Sequence, residues 1–206
     1  MLKQAIILAG GLGSRLKTIE KTPKPLIKFN EKPNIVNLLN QIYLCRFKKI
    51  ILLVKKNEKK IYEENLNFLA NEVKNGLSIN IYEEQERMGT GGWIVNNQDK
   101  LEDEFAVFNA DTYFFENISD IIIKHSNKKK NIIIGRKSSN RNDAGNILID
   151  SNYMVIKFEE KSKTLNSIES AGIYILNKQS LKELSESLAK VKISLEYDVF
   201  PELSKR

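Results

Sequence analysis

Cysteine and histidine are almost absent from this chain of 206 residues, which contains one of each, Cys45 and His125. One cysteine cannot form an intrachain disulfide, and one thiol with one imidazole is too few for a structural zinc site. Cys45 lies in an apolar pattern with Ile42 and Leu44, which predicts a small core residue. His125 is predicted to lie on the surface. The sequence contains no Ser-His or Cys-His pairing that would indicate a nucleophilic catalyst.

Long apolar runs and clustered basic residues are absent as well. No stretch approaches the roughly 18 apolar residues of a membrane span, and Ala5–Ala9 is too short for a signal peptide. The net charge is +7, but the lysines are scattered, with no arginine-rich arm and no basic helix with interleaved aromatic residues. These absences predict a cytoplasmic protein that binds neither membrane nor nucleic acid. Association into a homo-oligomer is left open.

Apolar runs alternate with helical patterns in the first half of the chain. Buried strands are predicted at Ala5–Ala9, Ile50–Val54, Ile79–Tyr82 and Phe105–Phe108. Apolar residues at helical spacing from Ile35 to Tyr43 predict a helix, and Gly89–Gly92 is predicted to open another. This alternation predicts a parallel sheet with helices on both faces.

The second half of the chain has a different pattern. Strands are predicted at Asn131–Gly135, Gly145–Ile149, Met154–Phe158 and Gly172–Leu176, and helices at Gln179–Lys190 and Leu195–Leu203. No linker or repeat divides the chain. The sequence therefore predicts one α/β domain over residues 1–206, with halves at 1–115 and 116–206. We expect a Rossmann-like, doubly wound three-layer sandwich with a mixed, mostly parallel central sheet.

The first predicted strand leads directly into a glycine-rich segment, Gly10–Leu16. Such glycines let backbone N–H groups approach phosphates. Leu16 stands where a dinucleotide-binding loop needs its third glycine, and Lys55 follows the second strand where an acidic residue would bind ribose. A P-loop is excluded because no Gly-Lys-Ser/Thr follows. On this segment alone, a structural turn and another kind of phosphate loop both stay open.

Arg15 lies within this segment, and Pro23-Lys24-Pro25-Leu26 follows shortly after it. Gly-Gly-x-Gly-x-Arg-Leu followed by Pro-Lys-Pro-Leu closely resembles the signature of sugar-1-phosphate nucleotidyltransferases. The resemblance implies that a nucleoside triphosphate and a sugar 1-phosphate are joined, with release of pyrophosphate. It implies that Arg15 and Lys24 are catalytic and clamp the triphosphate, whose leaving pyrophosphate gathers charge. The prolines would hold Lys24 at a fixed place.

The resemblance continues over nearly the whole chain. Met88–Gly92 matches a Leu-Gly-Thr-Gly-Gly segment of the family, and Asp111 follows a strand where the family has an aspartate that binds Mg²⁺. A simple Asx turn at Asp111 is the alternative. Phe158–Lys161 and Ala171–Tyr174 match segments that bind the sugar phosphate, and Gly145 matches a glycine that leaves room for it.

These matches imply two sets of binding residues, with residues 1–115 as the nucleotide half and 116–206 as the sugar-phosphate half. The implied nucleotide-binding residues are Leu8, Ala9, Gly10, Gly11, Gly13, Glu84, Gly89 and Thr90. The implied sugar-phosphate residues are Gly145, Glu160, Lys161, Ala171 and Gly172. The implied metal ligand is Asp111, and the implied cofactor is Mg²⁺.

Glu84 lies five residues before Gly89, where the family reads the base. An ionised carboxylate only accepts hydrogen bonds, and guanine offers two adjacent donors, N1–H and the N2 amino group. Uracil and thymine offer one donor, whereas cytosine and adenine place an acceptor beside theirs. GTP is therefore the predicted nucleotide. A solvated charge at a strand end, or Glu83 as the true reader, are the alternatives.

Two features differ from the family pattern. Arg87-Met88 replaces Pro-Leu, and the family's second metal-binding aspartate lies on a strand beyond the segment that matches Glu196–Pro201, whereas this chain stops at Arg206. A naturally short protein and a missing C-terminal segment both stay open. Neither Glu196 nor Asp198 is expected to replace that aspartate.

The overall spacing and the short second half are most similar to the heptose-1-phosphate guanylyltransferases of bacterial surface-polysaccharide pathways. Two other functions stay open at this stage. One is a phosphocholine or phosphoamide cytidylyltransferase, which shares the first loop. The other is a non-catalytic paralogue that binds a nucleotide or a sugar phosphate.

Overall fold

The computed structural model describes residues 2–11, 22–29, 31–66, 76–86, 88–112, 114, 117–137, 145–160, 168–185, 187–188 and 192–205, with only the backbone of Glu160. The chain forms two compact units. Unit 1 comprises Met1–Glu86 and Glu104–Lys129, and unit 2 comprises Arg87–Asp103 and Lys130–Arg206. The predicted single domain with halves at 1–115 and 116–206 stays a prediction.

Strands and helices alternate along the described chain. The strands are β1 (Gln4–Leu8), β2 (Lys28–Phe29), β3 (Lys32–Pro33), β4 (Lys49–Lys55), β5 (Ser78–Glu84), β6 (Glu104–Asn109), β7 (Ile132–Lys137), β8 (Gly145–Ile149), β9 (Val155–Glu160) and β10 (Ile168–Asn177). The helices are α1 (Asn34–Leu44), α2 (Lys59–Leu66), α3 (Gly89–Asn96), α4 (Ser119–His125), α5 (Lys178–Ser185) and α6 (Phe200–Leu203). Lys24–Leu26 and Gln98–Lys100 form 3-10 turns, and Leu195–Val199 forms a π-helical turn.

The sheet of unit 1 is parallel. β1 pairs with β4 on one side and with β6 on the other, and β5 pairs with β4. Ile50–Val54 within β4 is at most 1% exposed, as a strand covered on both faces requires. The carboxyl ends of these strands share one edge of the sheet, which is where ligands bind in open α/β sheets.

Helix α1 forms because its apolar residues recur at helical spacing. Its buried residues are Ile35, Val36, Leu38, Leu39 and Ile42. Cys45 follows the helix at 2% exposure, and burial raises the pKa of its thiol to about 12. The prediction of Cys45 as a small core residue is therefore confirmed.

The sheet of unit 2 is antiparallel. β10 pairs with β7 and β8, and β9 pairs with β8. The register between β10 and β7 shifts between Ser170 and Ile173, where Gly172 has a φ of 72°. This is a β-bulge, which lets the long strand bend. Phe200 packs against one face of the sheet, with ring centroids 5.2 Å from Phe158 and 4.6 Å from Tyr174.

The predicted α/β fold with a mixed sheet is confirmed, and all eight predicted strands are present. β10 begins four residues before the predicted Gly172 because its bulge interrupts the apolar run. The helix predicted from Gln179 is shorter than expected, since α5 ends at Ser185 and a turn follows at Ser187. Among the described helices, none combines the length and hydropathy that crossing a membrane requires.

Candidate active site

The segment after β1 is held at the carboxyl edge of the unit 1 sheet. The backbone N–H of Ala9 donates to the carbonyl of Leu53 at 2.8 Å, and the N–H of Ala110 donates to the carbonyl of Leu8 at 3.2 Å. Ala9 is buried, whereas Gly10 is half-buried and Gly11 is exposed. The structure thus brings Leu8, Ala9, Gly10 and Gly11 to this edge, and their contact with a nucleotide stays a prediction. Gly13 and Arg15 lie outside the described residues.

Gly10 faces the side chain of Glu84, at the end of β5. A Cβ atom built on Gly10 would lie 2.5 Å from Oε2 of Glu84, closer than a Cβ atom approaches an oxygen in protein structures. Burial raises the pKa of Glu84 to about 7. A side chain at position 10 would therefore displace the Glu84 carboxyl group from the space that it occupies.

Glu83, the neighbour of Glu84 on β5, contacts the start of helix α2. Its Oε1 accepts a hydrogen bond of 3.0 Å from the backbone N–H of Lys59, the first residue of α2. The first N–H groups of a helix have no partner within the helix, and a carboxylate there also interacts favourably with the helix dipole. Of the two candidate base readers, Glu84 is the one that lies beside the glycine-rich segment.

Lys24 and Asp111, which are 87 residues apart, meet at the same edge. Lys24 Nζ donates to Asp111 Oδ2 at 2.7 Å, and the two side chains are 42% and 48% exposed. Pro25 and Leu26 are buried in a 3-10 turn that the N–H of Leu26 closes on the carbonyl of Pro23. The buried turn holds Lys24 in place while its ammonium group stays exposed, so a cation and an anion project from one surface.

Asp111 fits a magnesium ion that also binds substrate phosphates. Its carboxylate follows β6, and the N–H of Thr112 donates to the carbonyl of Asn109. Within the described part of the chain, no group of three or more His, Cys, Asp and Glu side chains could hold a metal ion. One carboxylate suffices for Mg²⁺ when phosphate oxygens and waters complete the octahedron.

In unit 2, the Gly89–Thr90 segment is shaped by close contact with Ile193. The N–H of Ile193 donates to the carbonyl of Met88 at 2.8 Å, and the N–H of Gly91 donates to the carbonyl of Ile193 at 2.9 Å. Gly89 has a φ of 78°, and a Cβ atom there would collide with the Ile193 carbonyl oxygen. Position 89 therefore needs glycine for both its conformation and its lack of a side chain.

Replacing Gly89 with alanine is expected to destabilise the fold by at least about 1–2 kcal/mol, the cost of left-handed backbone for an L-residue. The collision with Ile193 adds to that cost. Thermal unfolding of the two proteins measures the difference. Gly11→Ala is the matched control, because a Cβ atom on Gly11 meets nothing within 4 Å. Equal melting temperatures for Gly89→Ala and the control would contradict the packing described.

The predicted sugar-phosphate residues lie in the unit 2 sheet. Gly145 and Glu160 are cross-strand partners in β8 and β9, and Ala171 and Gly172 lie at the bulge of β10. Lys161 falls outside the described residues, as does the side chain of Glu160. Their contacts with a sugar phosphate stay predictions.

Glu196 makes contacts within unit 2 that the sequence did not predict. Its Oε2 accepts hydrogen bonds from the hydroxyl groups of Thr90 at 2.6 Å and Ser194 at 2.8 Å. Asp198 Oδ2 accepts the N–H of Ser194 at 2.8 Å. Both carboxylates are thus engaged within unit 2. The only sequence signal is Ser-x-Glu-x-Asp, which is typical of a helix N-terminus and does not indicate Thr90 as a partner.

The chain belongs to the nucleotidyl transferase family, which it matches over residues 4–205. Members of this family bind a nucleoside triphosphate and a sugar phosphate and use divalent metal ions. The chain is a sugar-1-phosphate nucleotidyltransferase, as the sequence signature predicted.

Its relatives include D-glycero-alpha-D-manno-heptose 1-phosphate guanylyltransferases. The one from Campylobacter jejuni subsp. jejuni serotype O:2 is 33% identical over 184 residues, which cover 88% of this chain and 79% of that protein. The one from Aneurinibacillus thermoaerophilus is 31% identical, with 95% and 82% covered. The crystal structure of HddC from Yersinia pseudotuberculosis superposes with a TM-score of 0.77 at 28% identity, covering 98% of this chain and 86% of that one. HddC has also been solved complexed with GMP-PN.

Proposed function

We propose that the chain transfers a guanylyl group from GTP to a heptose 1-phosphate, for the synthesis of a bacterial surface polysaccharide. The products are a GDP-heptose and pyrophosphate. The observation that carries the choice of nucleotide is the carboxyl group of Glu84 beside Gly10. The names of the two relatives at 33% and 31% identity support both the nucleotide and the sugar.

The reaction is an in-line displacement at the α-phosphorus of GTP. An oxygen of the sugar phosphate forms the new bond to this phosphorus, and the bond to the bridging oxygen of pyrophosphate breaks. The bonding electrons leave with pyrophosphate, so the leaving group gains negative charge. Positioning of the reactants and neutralisation of this charge supply most of the rate acceleration, and no covalent enzyme intermediate is needed.

Charged residues of the chain bind the phosphate groups and the metal ion in this reaction. Lys24 offers an exposed ammonium group to the triphosphate, held by the buried turn around Pro25 and Leu26. Asp111 would hold Mg²⁺, which supplies additional positive charge to phosphate oxygens. Arg15 is assigned to the triphosphate and Lys161 to the sugar phosphate by the family signature.

Glu84 selects guanine by hydrogen bonding. In its ionised form the carboxylate accepts two bonds, which match the adjacent N1–H and N2 amino donors of guanine. The other bases present one donor, beside or between acceptors, so part of the carboxylate or of the base edge stays unpaired. A site built on hydrogen bonds rejects such mismatches strongly.

The apparent KM for GTP is expected to fall about tenfold as the pH rises from 6 to 8. Burial raises the pKa of Glu84 to about 7, so its ionised fraction increases about tenfold over this interval. Only the ionised form offers acceptors to both guanine donors. Steady-state rates at saturating sugar phosphate measure the effect. Glu84→Gln is the control, because the phosphates of GTP titrate identically with both proteins whereas glutamine does not titrate. This variant should lose the tenfold change in KM and much of the preference for GTP. A wild-type KM that is constant from pH 6 to 8 would contradict the role of Glu84.

The function itself is tested by a matrix of nucleotides against sugar 1-phosphates. The nucleotides are GTP, UTP, dTTP, CTP and ATP, each with magnesium, and mass spectrometry identifies nucleotide-sugar products. We expect GTP with a heptose 1-phosphate to give the highest rate. Better use of UTP or CTP would refute the choice of GTP. Binding without any product would indicate a non-catalytic paralogue.

A further inference from the structure

Glu196, Thr90 and Ser194 form a closed hydrogen-bond network. One oxygen of the Glu196 carboxylate accepts from both hydroxyl groups, at 2.6 Å from Thr90 and 2.8 Å from Ser194. The Thr90 hydroxyl in turn accepts the backbone N–H of Leu195 at 2.9 Å. The orientation of the Thr90 hydroxyl group is therefore fixed by residues more than a hundred positions along the chain.

The Glu196 carboxylate is itself held in place by the local backbone. Ser194 is the N-cap of the π-helical turn, and its Oγ accepts from the N–H groups of Glu196 and Tyr197, each at 3.2 Å. Asp198 closes the cap by accepting the N–H of Ser194. Reciprocal capping of this kind satisfies backbone donors that the turn leaves without partners. The network rests on a rigid support.

The network determines what Thr90 can offer to a ligand. A threonine hydroxyl has one hydrogen and two acceptor lone pairs. Its hydrogen is donated to Glu196, and one lone pair accepts from Leu195. Thr90 is exposed, so its hydroxyl presents a single acceptor in a fixed direction.

We propose that Glu196 is a positioning residue that fixes the Thr90 hydroxyl as an acceptor for a donor group of the nucleotide. The proposal rests on the proposed function and on the family match, which implies that Gly89 and Thr90 bind the nucleotide. Glu196 contacts Thr90 and does not itself bind the substrate. The backbone of Ile193 already binds Met88 and Gly91. The hydrogen bond between the Glu196 and Thr90 side chains adds a second connection between the same two segments.

The kinetic test compares Glu196→Ala with Glu196→Gln. The alanine variant should raise the KM for GTP about fivefold, the scale of one neutral hydrogen bond to the nucleotide, with kcat and the KM for sugar phosphate nearly unchanged. Glutamine should restore the KM, because its amide oxygen can accept from both hydroxyl groups. Glu202→Ala is the control, since Glu202 lies on α6 and pairs with Lys205 beyond the end of this helix. An unchanged KM in Glu196→Ala, or equal loss in kcat and both KM values, overturns the proposal.

A second measurement needs no turnover and so separates this proposal from the proposed function. Hydrogen exchange should become faster at the amide of Gly91 in Glu196→Ala but not in Glu196→Gln or Glu202→Ala. Unchanged exchange in all three variants overturns the positioning role even if GTP is the substrate. If no nucleotide yields product while exchange responds as expected, the proposed function fails, and what stands is the support that Glu196 gives to the Thr90 segment.

Thr90→Val keeps the test decisive if Glu196→Ala does not fold. Valine keeps the shape of threonine, leaves Glu196 bonded to Ser194 and removes the acceptor. It should raise the KM for GTP as much as Glu196→Ala, whereas Thr90→Ser should not. Comparing GTP with its 2′-deoxy and 3′-deoxy analogues then shows whether the donor is a ribose hydroxyl or a base N–H. A wild-type KM in Thr90→Val overturns the proposal.

Discussion

Replacing Lys24 with alanine is expected to lower turnover by about 100-fold or more, the scale seen when one charge-stabilising donor is lost. The ammonium group lies on an exposed surface beside Asp111, and in the proposed reaction its positive charge would offset the charge that gathers on pyrophosphate. Steady-state kinetics with saturating substrates measures the loss. The effect should be in kcat, because the charge develops as the bond to the leaving group breaks.

Folding should barely change in this variant. The Lys24 and Asp111 side chains are about half exposed, and such surface ion pairs contribute at most about 1 kcal/mol. Lys28→Ala is the matched control, since Lys28 is exposed on β2 only four residues away. Turnover of Lys24→Ala equal to that of Lys28→Ala would show that Lys24 is an ordinary surface lysine.

Replacing Asp111 with asparagine is expected to abolish turnover at millimolar magnesium while the fold is retained. Asparagine has the same size and still offers an oxygen to Lys24, but it lacks the charge that attracts a divalent cation. A bound metal ion contributes several kcal/mol of charge stabilisation to such reactions. Titration of activity with magnesium measures the change as a large rise in the concentration needed.

The matched control for this variant is Asp99→Asn, which removes a carboxylate whose side chain is 76% exposed. Its magnesium dependence should equal that of the unsubstituted protein. Circular dichroism and thermal unfolding check that both variants fold. If Asp111→Asn is active with the same magnesium requirement as the unsubstituted protein, Asp111 is not a metal ligand and serves only in the turn.

Much of unit 1 could be predicted from the sequence because its strands are parallel and buried. Such strands are continuous apolar runs, and the rule that ligands bind at their carboxyl ends placed Gly10 and Asp111 at one edge. Helix α2 was missed because only Tyr62 and Leu66 on it are buried. The short hairpin of β2 and β3 was missed because two-residue strands give too little pattern to detect.

The contacts within the site were harder to predict than its members. Lys24 and Asp111 were each predicted from local motifs, but their 2.7 Å contact joins segments 87 residues apart. The choice between Glu83 and Glu84 depended on the start of α2, which was not predicted. The contact of Glu196 with Thr90 was not predicted because the two residues are 106 positions apart, and no local pattern indicates such a pairing.

The shared space of Gly10 and Glu84 couples the two positions in evolution and in protein engineering. Any side chain at position 10 needs the volume that the Glu84 carboxyl group occupies. A change of base preference that shortens residue 84 would open that volume, so that alanine at position 10 would fit without displacing residue 84. The effects of substitutions at these positions are then non-additive, and the order in which they arise matters. This epistasis restricts the routes by which such a chain can acquire a new nucleotide.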